Sequence, residues 1–178
     1  MSPDINIMQR VAQTRDQQPV EHISDQDKQV MDEWIAKFPP EQKASAVVPS
    51  LLLIQKNHGG WLRNSLLEEV ADYLGMPRIA VYEVATFYSM LELKPVGKHK
   101  ICVCTNISCM LRGSDKIVKH LEKRLGIPLG GTTPDGKFTL KEVECLASCV
   151  TAPMFQIGDE YHENLTPEKV DKILESLE

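Results

Sequence analysis

Five cysteines constrain this chain more than any other feature, and all of them lie after residue 101. Four of them form two pairs: four residues separate Cys104 from Cys109, and three separate Cys145 from Cys149. In a reducing compartment, clustered cysteines bind metal more often than they form disulfides. Each pair is predicted to lie in a turn that follows a strand, and two such turns can meet at one end of a sheet. The pattern therefore predicts that four thiolates converge on a metal centre.

The spacing within the pairs leaves two kinds of metal centre open. Zinc requires a tight tetrahedron of ligands, and its cysteine pairs usually lie about two to four residues apart. A cluster of two irons and two sulfides is larger, and plant-type ferredoxins use a four-residue gap for one of their pairs. The gaps of four and three residues favour the [2Fe–2S] cluster, and zinc stays the alternative.

Other roles for the cysteines fit the pattern less well. Free cysteines often fill a hydrophobic core, but packing is a poor explanation for two spaced pairs in loop-like segments. A thioredoxin-type dithiol has two residues between its cysteines, and the chain contains no such pair. Cys102 lies two residues before Cys104, so the two side chains share a face of one predicted strand. We interpret Cys102 as a packing residue. No nucleophile–base pair stands out, so no catalytic residue is predicted.

Composition and charge exclude several classes of protein. The 20 Lys and Arg are outnumbered by 25 Asp and Glu, and this net charge of −5 argues against a general nucleic-acid binder. The longest apolar run, residues 46–54, is far shorter than the roughly 20 residues of a membrane span. The N-terminus has neither the basic nor the apolar region of a secretory signal. We therefore expect a cytosol-like compartment and no direct membrane insertion.

Hydrophobic periodicity predicts an α+β chain in three parts. A mobile N-terminal arm over residues 1–25 precedes a helical bundle over 26–93 and a thioredoxin-like α/β domain over 94–178. The four helices of the bundle are predicted over 26–38, over 41–57, from an Asn64 cap to Gly75, and over 78–91. Pro49 interrupts the second of these, either as a kink or as part of the true first turn.

The remaining part of the chain follows the order strand, helix, strand, strand, strand, helix, which suits a small thioredoxin-type layer fold. Its predicted elements are a strand over 100–104, a helix from a Ser114 cap to Gly126, a strand over 137–140, a hairpin of 154–157 and 160–164, and a helix with Thr166 as N-cap and Pro167 at its first position.

Five segments together resemble a known family. They are GWL at 60–62, VYEVATFYSM at 81–90, PVGK at 95–98, VCTNISCMLRG at 103–113 and DGKFTLKEVECLASCVTAP at 135–153. They are similar to the thioredoxin-like [2Fe–2S] subunit, known as the E subunit, of the respiratory NADH:quinone oxidoreductase (complex I). The resemblance runs from about residue 30 to the end of the chain, and the cysteine segments are its most specific part.

The resemblance implies a function and a set of ligands. By analogy with the family, Cys104 and Cys109 bind one iron of a [2Fe–2S] cluster, and Cys145 and Cys149 bind the other. The chain would carry one electron at a time beside a flavin-bearing subunit that binds FMN and NADH, with quinone bound elsewhere in the complex. It would lie on the cytoplasmic side, peripheral to the inner face of a bacterial cell membrane. The helical bundle is expected to hold the partner subunit.

Two residues depart from the family pattern, and two further expectations concern the surroundings of the cluster. Ala147 stands where many members have glycine, which would strain the chain if this position needs a positive φ. Cys102 is an additional cysteine. Backbone N–H groups of residues 105–108 and 146–148 are expected to donate hydrogen bonds to the sulfurs, and Arg112 is a candidate source of positive charge.

Three other functions stay open at the level of the sequence. The same module occurs in soluble NAD-linked hydrogenases and formate dehydrogenases, which share the cysteine pattern. A zinc-stabilised interaction module would be colourless and redox-inactive. A ferredoxin acting alone would be a stable monomer without a partner subunit.

Overall fold

The computed structural model describes residues 20–177, and contacts divide the chain into two compact units on either side of the Pro95–Val96 bond. The described residues form seven α-helices and one four-stranded sheet, which confirms the α+β fold class. Most of the expected mobile arm, residues 1–25, lies outside the described residues. At its described end Ile23 is buried, and its N–H donates to Glu69 Oε2 at 2.8 Å.

The unit before Val96 is helical. Its elements are α1 (Asp25–Ile35), a 3-10 segment (Pro40–Ala46), α2 (Val47–Asn57), α3 (Asn64–Leu74) and α4 (Arg78–Phe87). Each helix turns an apolar stripe inward, and the largest fully buried side chains of this unit are Met31, Leu51, Ile54, Leu62, Leu66 and Leu67. The predicted bundle of four helices is therefore present.

Several helix ends differ from the prediction for local reasons. Pro49 occupies the first turn of α2, where a proline removes no helical hydrogen bond, so α2 begins at Val47 instead of residue 41. Asn64 is the first helical residue and Arg63 is the cap, whose backbone is extended with a φ of −75° and a ψ of 155°. Helix α4 ends at Phe87 because Tyr88 is extended, which shortens the predicted helix over 78–91.

The unit from Val96 onward is a sheet with helices. Its strands are β1 (His99–Cys104), β2 (Phe138–Val143), β3 (Phe155–Ile157) and β4 (Glu160–His162), in the order β2-β1-β3-β4. Strands β1 and β2 are parallel, whereas β3 is antiparallel to both β1 and β4. The inward faces of these strands form a core with residues such as Ile101, Leu121, Leu140, Phe155 and Leu174.

Three helices complete this unit: α5 (Ile107–Leu111), α6 (Ser114–Leu125) and α7 (Pro167–Leu177). The predicted Thr166 cap of α7 is confirmed, because its hydroxyl accepts from the Lys169 N–H at 3.3 Å. The predicted Ser114 cap of α6 is wrong. The cap is Gly113, with a φ of +93°, and Ser114 is the first helical residue. The short helix α5 was not predicted, since five residues are too few to show a helical period.

Over residues 20–177, none of the helices combines the length and the apolar character that crossing a bilayer requires.

Candidate metal centre

The parallel pairing of β1 and β2 brings the two cysteine segments to the same edge of the sheet. Cys104 is the last residue of β1 and lies opposite Val143, the last residue of β2. The pairing continues one step beyond the strands, because the Thr105 N–H donates to the Val143 carbonyl at 3.3 Å. Cys145 follows Val143 by two residues. The sequence prediction that these two turns lie side by side is therefore confirmed.

Helix α5 places the second cysteine of the first pair. The Asn106 side chain accepts from the Ile107 N–H at 2.7 Å and so caps this helix. Cys109 is the buried residue of its single turn. Cys104 and Cys109 are packed together with Ala152 and Met154 in a small apolar cluster. Two thiols thus share one site that is nearly closed to water.

The pKa of Cys109 reflects its burial beside a second cysteine. This pKa is raised to about 11, first by burial and then by the hydrogen bond with Cys104 and the charge of Cys104. A hydrogen bond from the Met154 backbone acts in the opposite direction. Two thiolates side by side in an apolar site repel each other and lack solvation. A bound cation would compensate both effects, because metal binding displaces the thiol protons. The first pair therefore fits a metal or an iron–sulfur cluster.

The second pair lies on a tight, exposed segment. Cys145 and Cys149 are both exposed, and Cys149 begins a 3-10 turn that ends at Thr151. Between them, Ala147 has a φ of +60°, and its N–H donates to Cys145 Sγ at 3.3 Å. This is one of the N–H···S hydrogen bonds expected from residues 146–148. Cys149 is close enough to Cys109 for its charge to act on the pKa of Cys109.

The five cysteines therefore differ in burial: Cys104 and Cys109 are buried, Cys102 is half-buried, and Cys145 and Cys149 are exposed. No disulfide links any of them. Cys104 and Cys109 are in contact, whereas Cys102 is half-buried within β1, opposite Lys141 and Gln156. In the part of the chain from residue 20 to 177, no three His, Cys, Asp or Glu side chains are grouped tightly enough to hold one metal ion.

Arg112 connects the two cysteine segments. It caps the C-terminus of α5, and its Nη1 donates to the Val150 carbonyl at 3.4 Å. Arg112 lies three residues after Cys109, and Val150 is the residue that follows Cys149. This hydrogen bond therefore holds the guanidinium between the two cysteine segments. The sequence placed Arg112 near the first pair only, because a contact across 38 positions of the chain has no local signal.

The positive φ of Ala147 leads to a stability prediction. An L-residue in the left-handed region is strained by about 1–2 kcal/mol, whereas glycine is not strained there. Ala147→Gly should therefore raise the free energy of unfolding by about 0.5–1 kcal/mol, after the larger unfolded-state entropy of glycine is subtracted. Thermal unfolding followed by circular dichroism measures the change.

A matched control for this substitution is Ala152→Gly. Ala152 is buried at a φ of −62°, so glycine relieves no strain there and removes a packed methyl group. Ala152→Gly should lower the unfolding temperature while Ala147→Gly raises it. A decrease for both variants would show that Ala147 is not strained.

Fold and cysteine arrangement together define the class of this protein: a helical unit followed by a thioredoxin-type unit with cysteine pairs at the ends of its parallel strands β1 and β2. Residues 31–178 match the thioredoxin-like [2Fe–2S] ferredoxins, and the chain belongs to that family. The resemblance noted in the sequence is thus confirmed, and the family supports an iron–sulfur cluster over zinc.

Individual relatives agree with this assignment. The E subunit of the NADH-quinone oxidoreductase of Rickettsia conorii is 54% identical over 147 residues, which are 83% of this chain and 88% of the relative. The second E-type subunit of the NADH-quinone oxidoreductase of Rhizobium meliloti is 49% identical over 142 residues, which are 80% and 83% of the two chains. Among solved structures, an air-oxidised NAD+-reducing [NiFe]-hydrogenase has a TM-score of 0.60 at 18% identity, over 71% of this chain and 22% of that one. The last likeness shows the fold.

Proposed function

We propose that this chain is the electron-transfer subunit of an NADH:quinone oxidoreductase and holds one [2Fe–2S] cluster. Cys104 and Cys109 would bind one iron, and Cys145 and Cys149 the other. The observation that carries the proposal is the placement of both cysteine pairs at the ends of the adjacent parallel strands β1 and β2, in a chain 54% identical to the E subunit of a bacterial NADH-quinone oxidoreductase. That identity favours this function over the hydrogenase alternative.

The residues around the cysteines suit electron transfer without bond chemistry. A bound [2Fe–2S] cluster accepts and releases one electron and becomes more negative when it is reduced. The Ala147 N–H, which donates to Cys145 Sγ, would stabilise that added charge. Burial of Cys104 and Cys109 keeps water away from one half of the site. The chain needs no complete active site of its own for this role.

A partner subunit would accept and supply the electrons. In this proposal FMN and NADH bind to a neighbouring flavin-bearing subunit and quinone binds elsewhere in the complex, which is peripheral to the cytoplasmic face of the bacterial membrane. Large apolar side chains are exposed beside both cysteine segments, most of all Val150 at 87% and Leu111 at 77%. Such side chains favour a protein contact. Co-purification with the flavin-bearing subunit of the same organism tests this part of the proposal.

The metal content tests the cluster directly. Protein purified without oxygen should contain about two irons and two acid-labile sulfides per chain and little zinc. Stoichiometric zinc without sulfide would instead support the interaction module. A loaded cluster that copurifies with no other subunit would support a ferredoxin acting alone.

Arg112 should raise the reduction potential of the site. Its guanidinium is tethered to the Val150 carbonyl at 3.4 Å, so its positive charge stays beside the cysteines and favours the more negative, reduced state. Arg112→Gln is therefore expected to lower the midpoint potential. Arg124→Gln is the matched control. Arg124 lies in the last turn of α6, whereas Arg112 lies just before its first residue, and Arg124 faces Asp171 at 3.6 Å. Equal potentials for wild type and Arg112→Gln would contradict an electrostatic role.

A further inference from the structure

A carboxylate outside the cysteine segments holds the second of them in place. Glu163 follows β4, and its Oε1 accepts hydrogen bonds from the hydroxyls of Ser148 and Thr151, the latter at 2.7 Å. The two hydroxyl oxygens are themselves 2.7 Å apart. Ser148 precedes Cys149 directly, and Thr151 follows it by two residues. A single oxygen atom therefore fixes the chain on both sides of Cys149.

Glu163 is itself firmly anchored. Its carbonyl accepts from Lys169 Nζ at 2.5 Å. The neighbouring N–H groups of Asn164 and Leu165 donate to the carbonyls of Thr151 and Pro153, at 2.7 and 3.0 Å. The chain around Glu163 thus runs beside the cysteine segment and is bonded to it at several points. This gives the carboxylate a fixed position from which to act.

Cys149 lies in an irregular segment whose position depends on such contacts. It is exposed and lies in one 3-10 turn, without the strand pairing that positions Cys104. Hydrogen-bond partners one step away from a metal ligand orient that ligand, and their loss typically lowers metal affinity about 10- to 100-fold. For Cys149, these partners are the hydroxyls of Ser148 and Thr151, which both donate to the Glu163 carboxylate.

We propose that Glu163 is a positioning residue for Cys149, acting through the hydroxyls of Ser148 and Thr151, and that it determines how firmly the cluster is retained. The inference rests on the proposed function, because it assumes that Cys149 is a ligand. It assigns a role to a residue that is separated from Ser148 by 15 positions in the sequence.

Three variants of the whole chain distinguish the loss of the hydrogen-bond acceptor at Glu163 from the loss of its negative charge. Glu163→Ala removes both, Glu163→Gln keeps a carbonyl oxygen that can accept both hydroxyls, and Glu160→Ala removes an equal charge from the same hairpin. Glu160 is a suitable control because its side chain is 85% exposed and lies 3.9 Å from His162. The measurement is the rate at which visible absorption is lost in an iron chelator, together with the electron paramagnetic resonance line shape of the reduced protein.

Glu163→Ala should lose the cluster about tenfold faster than wild type or more, with an altered line shape. Glu163→Gln and Glu160→Ala should both resemble wild type. Equal rates for Glu163→Ala and Glu160→Ala would overturn the inference, as would a Glu163→Gln variant as labile as Glu163→Ala. If Glu163→Ala does not fold, Thr151→Val decides: faster loss supports the inference and an unchanged rate overturns it. A wild-type protein without iron and sulfide would overturn the proposed function itself, a result distinct from these.

Discussion

Replacing Cys109 with alanine is expected to abolish the iron–sulfur cluster. Cys109 is buried and hydrogen-bonded to Cys104, so its loss removes one of the two proposed sulfur ligands from a site that excludes water as a replacement ligand. An iron with one thiolate fewer is not retained in a buried apolar site. Iron and sulfide should fall from about two each per chain to near zero, and the visible absorption should disappear. Metal analysis and absorption spectroscopy of protein purified without oxygen measure both.

Cys102→Ser is the matched control for this experiment. Cys102 lies on the same strand as Cys104, is half-buried, and is an additional cysteine outside the two pairs. Its replacement should leave the iron content and the spectrum unchanged. The proposal further expects cluster loss from alanine at each of the other three proposed ligands, Cys104, Cys145 and Cys149. A stable cluster in any of these three variants, or cluster loss in Cys102→Ser, would contradict the ligand set.

Replacing Asp27 with asparagine is expected to destabilise the helical unit by about 2 kcal/mol at pH 7. Asp27 is buried, and its carboxylate accepts from Ser24 Oγ at 2.6 Å, Asn57 Nδ2 at 2.6 Å and His58 Nε2 at 3.0 Å. Burial alone would raise the pKa of Asp27, but these hydrogen bonds outweigh it and lower the pKa from 3.8 to about 2. That difference corresponds to about 2 kcal/mol of stability when the carboxylate is ionised.

The sign of this effect determines its pH dependence. Because the pKa of Asp27 is lower in the folded chain, its contribution is fully present above about pH 5 and is lost as the pH falls through 3.8 towards about 2. The stability difference between wild type and Asp27→Asn should therefore be largest near neutral pH and shrink in acid. Urea unfolding at pH 7 and at pH 3, measured for both proteins, gives this difference.

Asp25→Asn controls for the general effect of a negative charge at a helix start. Asp25 lies in the same first turn as Asp27, but its side chain is 95% exposed and pairs with Lys28. Its replacement should cost only a few tenths of a kcal/mol. The two tryptophans, Trp34 and Trp61, both precede Val96, so their fluorescence reports on the helical unit. Equal losses for Asp25→Asn and Asp27→Asn would show that the buried network contributes nothing.

Local chemistry made part of the fold predictable from the sequence. Gly75 and Gly126 end α3 and α6 with positive φ values of +70° and +68°, as their positions after apolar stripes predict. The start of α1 had an equally local signal: Ser24 and Asp27 form a capping box, which sets the first helical residue at Asp25, one before the predicted start. Such ends depend on a few neighbouring residues, so sequence alone can specify them.

Contacts between distant parts of the chain were predictable only where the order of the strands fixes them. The cysteine pairs and their meeting at one sheet edge followed from spacing and strand order, because parallel strands align their ends. The sequence predicted strain at Ala147 only if that position has a positive φ, and the observed φ of +60° meets this condition. The Glu163 contacts and the Arg112–Val150 bond had no sequence signal, since hydrogen bonds across 12 to 38 positions depend on the finished fold.

The most direct test of this account is the low-temperature electron paramagnetic resonance spectrum of the dithionite-reduced protein, purified without oxygen. We expect a rhombic or axial signal from one mixed-valence two-iron cluster, integrating to about one spin per chain. A colourless sample that gives no signal and contains stoichiometric zinc would contradict it, and would identify the cysteine site as structural rather than electron-carrying.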